Sequence, residues 1–231
     1  MVNVIDREGV RRLLATSRAR LVEVLPEKEY AWAHLPGAVN LPLRSLDEAA
    51  AGTLDPAEPV VVYCHDLVCD MSPRAAHRLE HLGFPDVADY AAGKMDWISS
   101  DLPYEGEADL VGPHTRRDPV TARLDDPIGQ VGDRIVADPA GLCVVVDEHD
   151  VVQGTIGPRE LAGTDGAATA GEAMRFGVHT VRPSEELASL LQRLDRAGSD
   201  HVVVTRTDGT LVGLLVVGAL RGAPGWEPDL G

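Results

Sequence analysis

A cysteine that ends an apolar strand and stands just ahead of a helix is a candidate nucleophile. Cys64 follows the run Pro59-Val60-Val61-Val62-Tyr63 and precedes the loop His65-Asp66-Leu67-Val68-Cys69-Asp70-Met71. Ser72-Pro73 then opens an amphipathic helix, with apolar positions at Ala75, Ala76, Leu79 and Leu82 and Gly83 as its stop. Such a turn aims backbone N–H groups and the positive end of the helix dipole at the sulfur, which predicts a lowered thiol pKa and an attacking thiolate. Cys69, five positions on, has two readings: a resolving thiol that closes a disulfide on Cys64, or a small apolar filler that packs the loop on the sheet. Metal ligation by Cys64, His65 and Cys69 is the weaker alternative, since three ligands on one tight turn lack a distal fourth. No metal site is expected. Cys143 stands in a Val-rich strand and reads as core.

The elements that must hold this loop alternate between short apolar runs and amphipathic stretches. Residues 20–25, 37–41, 60–63 and 86–90 read as strands. Pro26 starts a helical turn, and Gly93 leads into a helix bearing Trp97. Alternation of this kind implies an α/β domain with a mostly parallel sheet. The stretch 102–113, punctuated by Pro103, Gly106, Gly112 and Pro113, ends it and sets a first domain at 1–108.

Beyond that boundary the chain repeats itself. Val120-Thr121-Ala122-Arg123 with Ile128, Val131 and Ile135 lines up with His179-Thr180-Val181-Arg182 with Leu187, Leu190 and Leu194, at an offset of 59. Cys143-Val144-Val145-Val146 lines up with His201-Val202-Val203-Val204 at 58, and Gly154 with Gly213 at 59. Each copy reads strand, helix, Val-rich strand, turn, strand, helix. Neither can cover its own apolar faces, so two copies, near 114–165 and 170–223, should pack into one α/β domain spanning 114–223.

The first half resembles the rhodanese family. The match rests on Leu21-Val22-Glu23-Val24, Glu29-Tyr30, His34-Leu35-Pro36-Gly37-Ala38-Val39-Asn40-Leu41-Pro42, the strand-Cys-loop-helix, Gly83-Phe84, and Gly93 with Trp97. The resemblance implies a five-stranded parallel sheet flanked by helices, and transfer of sulfane sulfur through a persulfide on Cys64. It also implies that the loop His65, Asp66, Leu67, Val68, Cys69 and Asp70 cradles the charged sulfur. The loop departs from the common family pattern: it is about two residues longer and has no Arg, Lys or Gly. Asp at position 70, where Cys-x5-Arg phosphatases of this fold carry their Arg, excludes a phosphate grip. The same acids disfavour thiosulfate, leaving a small thiol or protein persulfide as sulfur donor and acceptor. Arg74 could offset Asp66 or Asp70, whereas Arg78 reads as surface. His34 reads as a structural brace, His65 as either a thiolate stabiliser or a solvated side chain, and Trp32 and Trp97 as core.

The duplicated half resembles a cystathionine-β-synthase (CBS) domain pair, which implies homodimerisation and an adenine-nucleotide cleft. The family's polar positions match Gly157 and Glu160 in the first copy, but Val216 and Ala219 in the second. An apolar partner leaves a buried ribose hydroxyl unpaired, at about 1–3 kcal/mol each. Packing without ligand and a weak nucleotide site at Gly157 and Glu160 therefore both stand, and no cofactor is required.

A net charge of −16, divided as −9 before residue 110 and −7 after, leaves no basic block and argues against nucleic acid or an anionic membrane as partner. No apolar run is long enough to span a bilayer, the start lacks a signal-peptide pattern, and three cysteines suit free thiols in a reducing cytoplasm. Two function classes follow: a sulfurtransferase working through Cys64, or a catalytically silent regulatory or assembly protein that binds a nucleotide or a protein partner.

Overall fold

A computed structural model describes residues 2–221; the last two residues expected in the second domain, 222 and 223, lie outside it. The chain divides into two compact units, Met1–Ala108 and Asp109–Gly231.

The first unit is built on strands β1 (Asn3–Val4), β2 (Arg20–Glu23), β3 (Val39–Asn40), β4 (Val60–Tyr63) and β5 (Val87–Tyr90). They form one sheet in the order β1-β5-β4-β2-β3, and every pairing is parallel. All four residues of β4 are buried, as both-face coverage in a parallel sheet requires. The covering helices are α1 (Arg7–Thr16), α2 (Glu27–Trp32), α3 (Glu48–Ala51), α4 (Met71–His81) and α5 (Gly93–Ser99). Asp6 caps α1, its Oδ1 accepting from the Gly9 N–H at 2.7 Å.

The two sheet faces differ in chemistry. One packs Val22, Val24, Val60, Val62 and Val87 against Ala75, Ala76 and Leu79 of α4, whose small alanines let the helix lie close to the strands. The helix stops at Gly83, whose φ of +93° turns the chain so that the Phe84 N–H reaches the Leu79 carbonyl. The other face buries polar groups. Glu23 and Tyr63 sit opposite each other in the β2–β4 register. The Tyr90 hydroxyl donates to Asp96 Oδ2 at 2.6 Å, and Trp97 Nε1 donates to the Pro103 carbonyl at 2.8 Å.

The second unit contains two matching copies. The first has β6 (Val120–Arg123), α6 (Ile128–Ala137), β7 (Cys143–Val146), β8 (Val152–Ile156) and α7 (Pro158–Ala162), then a short α8 (Ala170–Ala173). The second has β9 (Thr180–Val181), α9 (Leu187–Ala197), β10 (His201–Thr205), β11 (Leu211–Val216) and α10 (Val217–Arg221). In each, the Val-rich strand is central, parallel to the strand before it and antiparallel to the one after. The structure corrects the alignment of the Val runs. Val145 pairs with Gly154 and Val204 with Gly213, and a bulge follows immediately in both copies. A single offset of 59 therefore holds throughout, so Cys143 corresponds to Val202.

The equivalent glycines share a physical cause. A Cβ on Gly154 would lie 2.8 Å from the Arg175 carbonyl oxygen, and one on Gly213 would lie 2.1 Å from that of Arg116. At both places a neighbouring backbone crosses the strand. Leu142, Val144 and Val146 of one copy share a cluster with Val203 and Leu214 of the other, so the copies bury each other's apolar faces as expected.

Candidate active site

The parallel order puts β4 at the centre of the sheet, and Cys64 leaves its carboxyl end, where open α/β sheets place their sites. The thiol is fully buried. Its Sγ lies 3.3 Å from the Ser72 hydroxyl and 3.4 Å from the Cys69 carbonyl oxygen, two hydrogen-bond partners for its single proton.

This overturns the expected lowered pKa. Burial among Val62, Ala75 and Ala76 pushes the thiol up to about 11, and Cys69 adds to that, while the Ser72 hydroxyl and N–H pull the other way. Desolvation outweighs the helix end, so the resting group is a thiol.

The loop explains why so little opposes the burial. The Val68 N–H donates to Asp66 Oδ1 at 3.1 Å and the Cys69 N–H to the Asp66 carbonyl at 3.2 Å. Two donors expected to cradle sulfur thus close a turn on Asp66. Cys69 packs partly buried against the core cluster. Leu67 and Val68 project into solvent, 75% and 92% exposed. Arg74 sits 3.6 Å from Asp70, the pairing expected to offset that charge. His65 is half-buried, with its ring tilted toward Trp32 at 6.5 Å.

Two features beneath the loop escaped sequence reading. The first is the start of α5. Gly93 has a φ of +66°, and a Cβ there would meet the Cys64 carbonyl oxygen and His65 backbone atoms at 2.7 Å. That close approach lets the Lys94 and Met95 N–H groups bond the Cys64 and His65 carbonyls, both at 3.0 Å. Lys94 also forms an ion pair in which both side chains are fully buried. Its Nζ donates to Glu23 Oε1 at 2.9 Å and to the carbonyls of Glu29 and Ala33 at 2.7 and 2.9 Å. Burial raises the Glu23 carboxyl and Lys94 lowers it, while Oε2 has no hydrogen-bond partner. The pair ties β2, α2 and α5 together under Cys64. A Glu inside Leu-Val-Glu-Val was the available signal.

The second is Asp89 on β5, 2% exposed, on the α4 face beside Ser72. Burial raises its carboxyl, and the Ser72 hydroxyl and His77 lower it. Its Oδ1 has no hydrogen-bond partner.

The other candidates fall as follows. His34 stacks on Tyr30 at 3.7 Å and holds its carbonyl through Nδ1 at 2.8 Å, the brace expected of it. Cys143 is buried and its thiol is pushed up to about 12, as fits a core residue. In the second unit Glu160 Oε2 accepts from the Gly157 N–H at 2.9 Å, so the carboxylate expected to hold a ribose caps its own helix. Among the described residues no His, Cys, Asp and Glu cluster could hold a metal, and no helix is long and apolar enough to cross a membrane.

A buried cysteine at the carboxyl end of a central parallel strand, followed by a loop and a helix, marks the candidate site of this α/β domain. Residues 6–100 match the family model of the Rhodanese-like domain, and the first unit is a rhodanese-like domain. An HTH-type transcriptional regulator of Mycobacterium tuberculosis is 30% identical over 103 residues, 45% of this chain and 45% of that protein. The chain thus spans less than half the length of that relative. The human thiosulfate:glutathione sulfurtransferase is 29% identical over 105 residues, 40% of this chain and 90% of that one. A CBS domain protein from Pyrobaculum aerophilum, complexed with AMP, is 20% identical, with a TM-score of 0.44 over 50% of this chain and 92% of its own.

Proposed function

We propose that the first unit is a sulfurtransferase that carries sulfane sulfur as a persulfide on Cys64. The supporting observation is the place of Cys64, at the end of β4 and bonded to Ser72 in the first turn of α4, inside the segment that matches the Rhodanese-like domain. The Cys64 thiolate attacks the outer sulfur of a donor persulfide R–S–SH; the S–S bond breaks, R–SH leaves with the proton, and Cys64 holds the terminal S–S⁻. An acceptor thiolate R′–S⁻ then attacks that outer sulfur, forming R′–S–S⁻ and returning the Cys64 thiolate. Cys69, partly buried against the core cluster, fills the loop in this reading.

Asp66 and Asp70 face dianions such as thiosulfate with like charge, and Leu67 and Val68 offer an apolar tip to a protein persulfide. Free thiols of this kind suit a reducing, cytoplasmic setting. Comparing sulfur delivery to a thiol acceptor from cysteine persulfide and from thiosulfate tests this reading. Faster delivery from the persulfide is expected; equal rates, or thiosulfate leading, would contradict the donor assignment.

The second unit serves as an assembly module that pairs two chains. Glu160 is committed to Gly157, and Val216 and Ala219 bring no polar group to the matching position. Millimolar AMP should therefore leave the melting temperature unchanged, and light scattering should give twice the chain mass. A rise with AMP would restore the nucleotide reading.

A further inference from the structure

A groove runs along α4, between that helix and the 3-10 turn Leu43–Ser45. It holds about 450 Å³ and is lined by Leu43, Arg74, Arg78, His81 and Leu82. The two leucines are partly buried against the core cluster and give it an apolar floor, while the three basic side chains are exposed. Leu82 also borders an apolar hollow of about 280 Å³, lined with Leu54, Pro56 and Phe84 and with the exposed Glu48 among its walls.

Such a cluster of cations is out of keeping with a chain of net charge −16. Arg74 is partly answered by Asp70 at 3.6 Å, with both side chains exposed. The ring of His81 bonds the His77 carbonyl through Nδ1 at 2.7 Å. The side chain of Arg78 has no hydrogen bond or ion pair among the described residues. One exposed ion pair in water contributes little, so a lone small anion gains too little here to stay bound. A ligand with several acids and an apolar contact adds these small gains together.

We propose that this groove docks an extended acidic segment of the protein that exchanges sulfur with Cys64. Arg74, Arg78 and Leu82 stand four residues apart on one side of α4, which spaces them about 6 Å from each other along the axis. Side chains on one face of an extended strand recur about 6.7 Å apart. The same-face positions of a segment Glu-x-Glu-x-Leu therefore meet two guanidinium groups and then the apolar hollow at Leu82. The groove begins at Arg74, in the first turn of α4, and its partner Asp70 belongs to the Cys64 loop, so a bound segment leads to that loop. Nucleic acid and an anionic membrane match the sign of the groove but are repelled by the acidic chain around it.

This inference rests on Cys64 as the sulfur-carrying thiol, but docking is read without sulfur transfer. Fluorescein-labelled Glu-Ala-Glu-Ala-Leu, and its reverse Leu-Ala-Glu-Ala-Glu, are titrated with the full chain at low salt and followed by fluorescence anisotropy. At least one should bind saturably at or below millimolar chain. Arg78→Glu should weaken that binding at least about fivefold, whereas Arg12→Glu, the same charge change on the exposed side of α1, should leave Kd within about twofold. Glutamine in place of both glutamates should weaken the peptide about tenfold or more.

Equal loss in the two arginine variants, equal binding of the glutamine peptide, or no binding of either acidic peptide overturns the proposal. Displacement of the peptide by inorganic phosphate beyond that by chloride of equal ionic strength would make the groove a small-anion site and overturns it too. So does a single-stranded oligonucleotide that binds through Arg78 more tightly than the peptides. A chain that docks peptide through Arg78 yet forms no persulfide keeps the acidic-segment groove and loses the sulfur-carrier reading. One that forms persulfide and docks neither peptide does the reverse.

Discussion

Replacing Lys94 by Met keeps most of the side-chain volume and removes the charge that pairs with Glu23. Three hydrogen bonds disappear, to Glu23 Oε1 and to the carbonyls of Glu29 and Ala33. Glu23 is then a fully buried carboxylate without a counter-charge, and breaking one side of such a pair costs about 3–5 kcal/mol. With a urea m-value of about 2 kcal/mol/M, the unfolding midpoint of the first unit should fall by roughly 1.5–2.5 M. Fluorescence of Trp32 and Trp97, both in that unit, reports the transition. The loss should depend on pH. Burial already raises the Glu23 carboxyl, and removing Lys94 removes the largest opposing influence. The native variant then binds a proton that the unfolded chain has released, so its stability falls as pH rises and the deficit is greater at pH 8 than at pH 5. Adding Glu23→Gln should recover most of the loss, since no buried charge remains. A midpoint shift below about 0.5 M at pH 8, or a double variant no better than the single, would refute the reasoning.

Two glycine substitutions probe the backbone. Gly93→Ala meets both a positive φ and carbonyl atoms at 2.7 Å, so it should cost about 1–3 kcal/mol in urea unfolding and also speed alkylation of Cys64 by loosening the loop above it; an unchanged midpoint would contradict this. Gly213→Ala should destabilise more than Gly154→Ala in thermal melts. Its obstacle is the Arg116 carbonyl oxygen at 2.1 Å, whereas at Gly154 the crossing Arg175 carbonyl oxygen stands farther off, at 2.8 Å, beside the flexible Met174 Sδ at 2.7 Å, and the reverse order would contradict the crossing-backbone explanation.

The fold was legible wherever burial produces a local pattern. The run 60–63 is apolar without alternation because both faces of β4 are covered, and the helical spacing of Ala75, Ala76 and Leu79 reports the one face that α4 buries. The duplication was legible because both copies meet the same physical demands, down to glycines where a backbone crosses. The 58-residue offset failed since a run of valines aligns equally well one step away, and only pairing across the bulge fixes the register.

The site was legible as a position and not as an electrostatic state. Strand, cysteine and helix order follow from the sequence, but whether the loop turns its N–H groups to the sulfur or to Asp66 depends on a side-chain choice with no periodic signature. Glu23 and Asp89 were readable as carboxylates in apolar strands. The partner of Glu23 was not, because Lys94 lies 71 residues away.

The proposed function depends on Cys64 carrying sulfur. Intact-mass spectrometry of the full chain after brief exposure to cysteine persulfide tests it most directly. A sulfur-carrying Cys64 should give a gain of one sulfur atom, discharged by a thiol, lost in Cys64→Ser and retained in Cys69→Ser. An adduct that persists in Cys64→Ser, or no adduct on a folded wild-type chain, would contradict it.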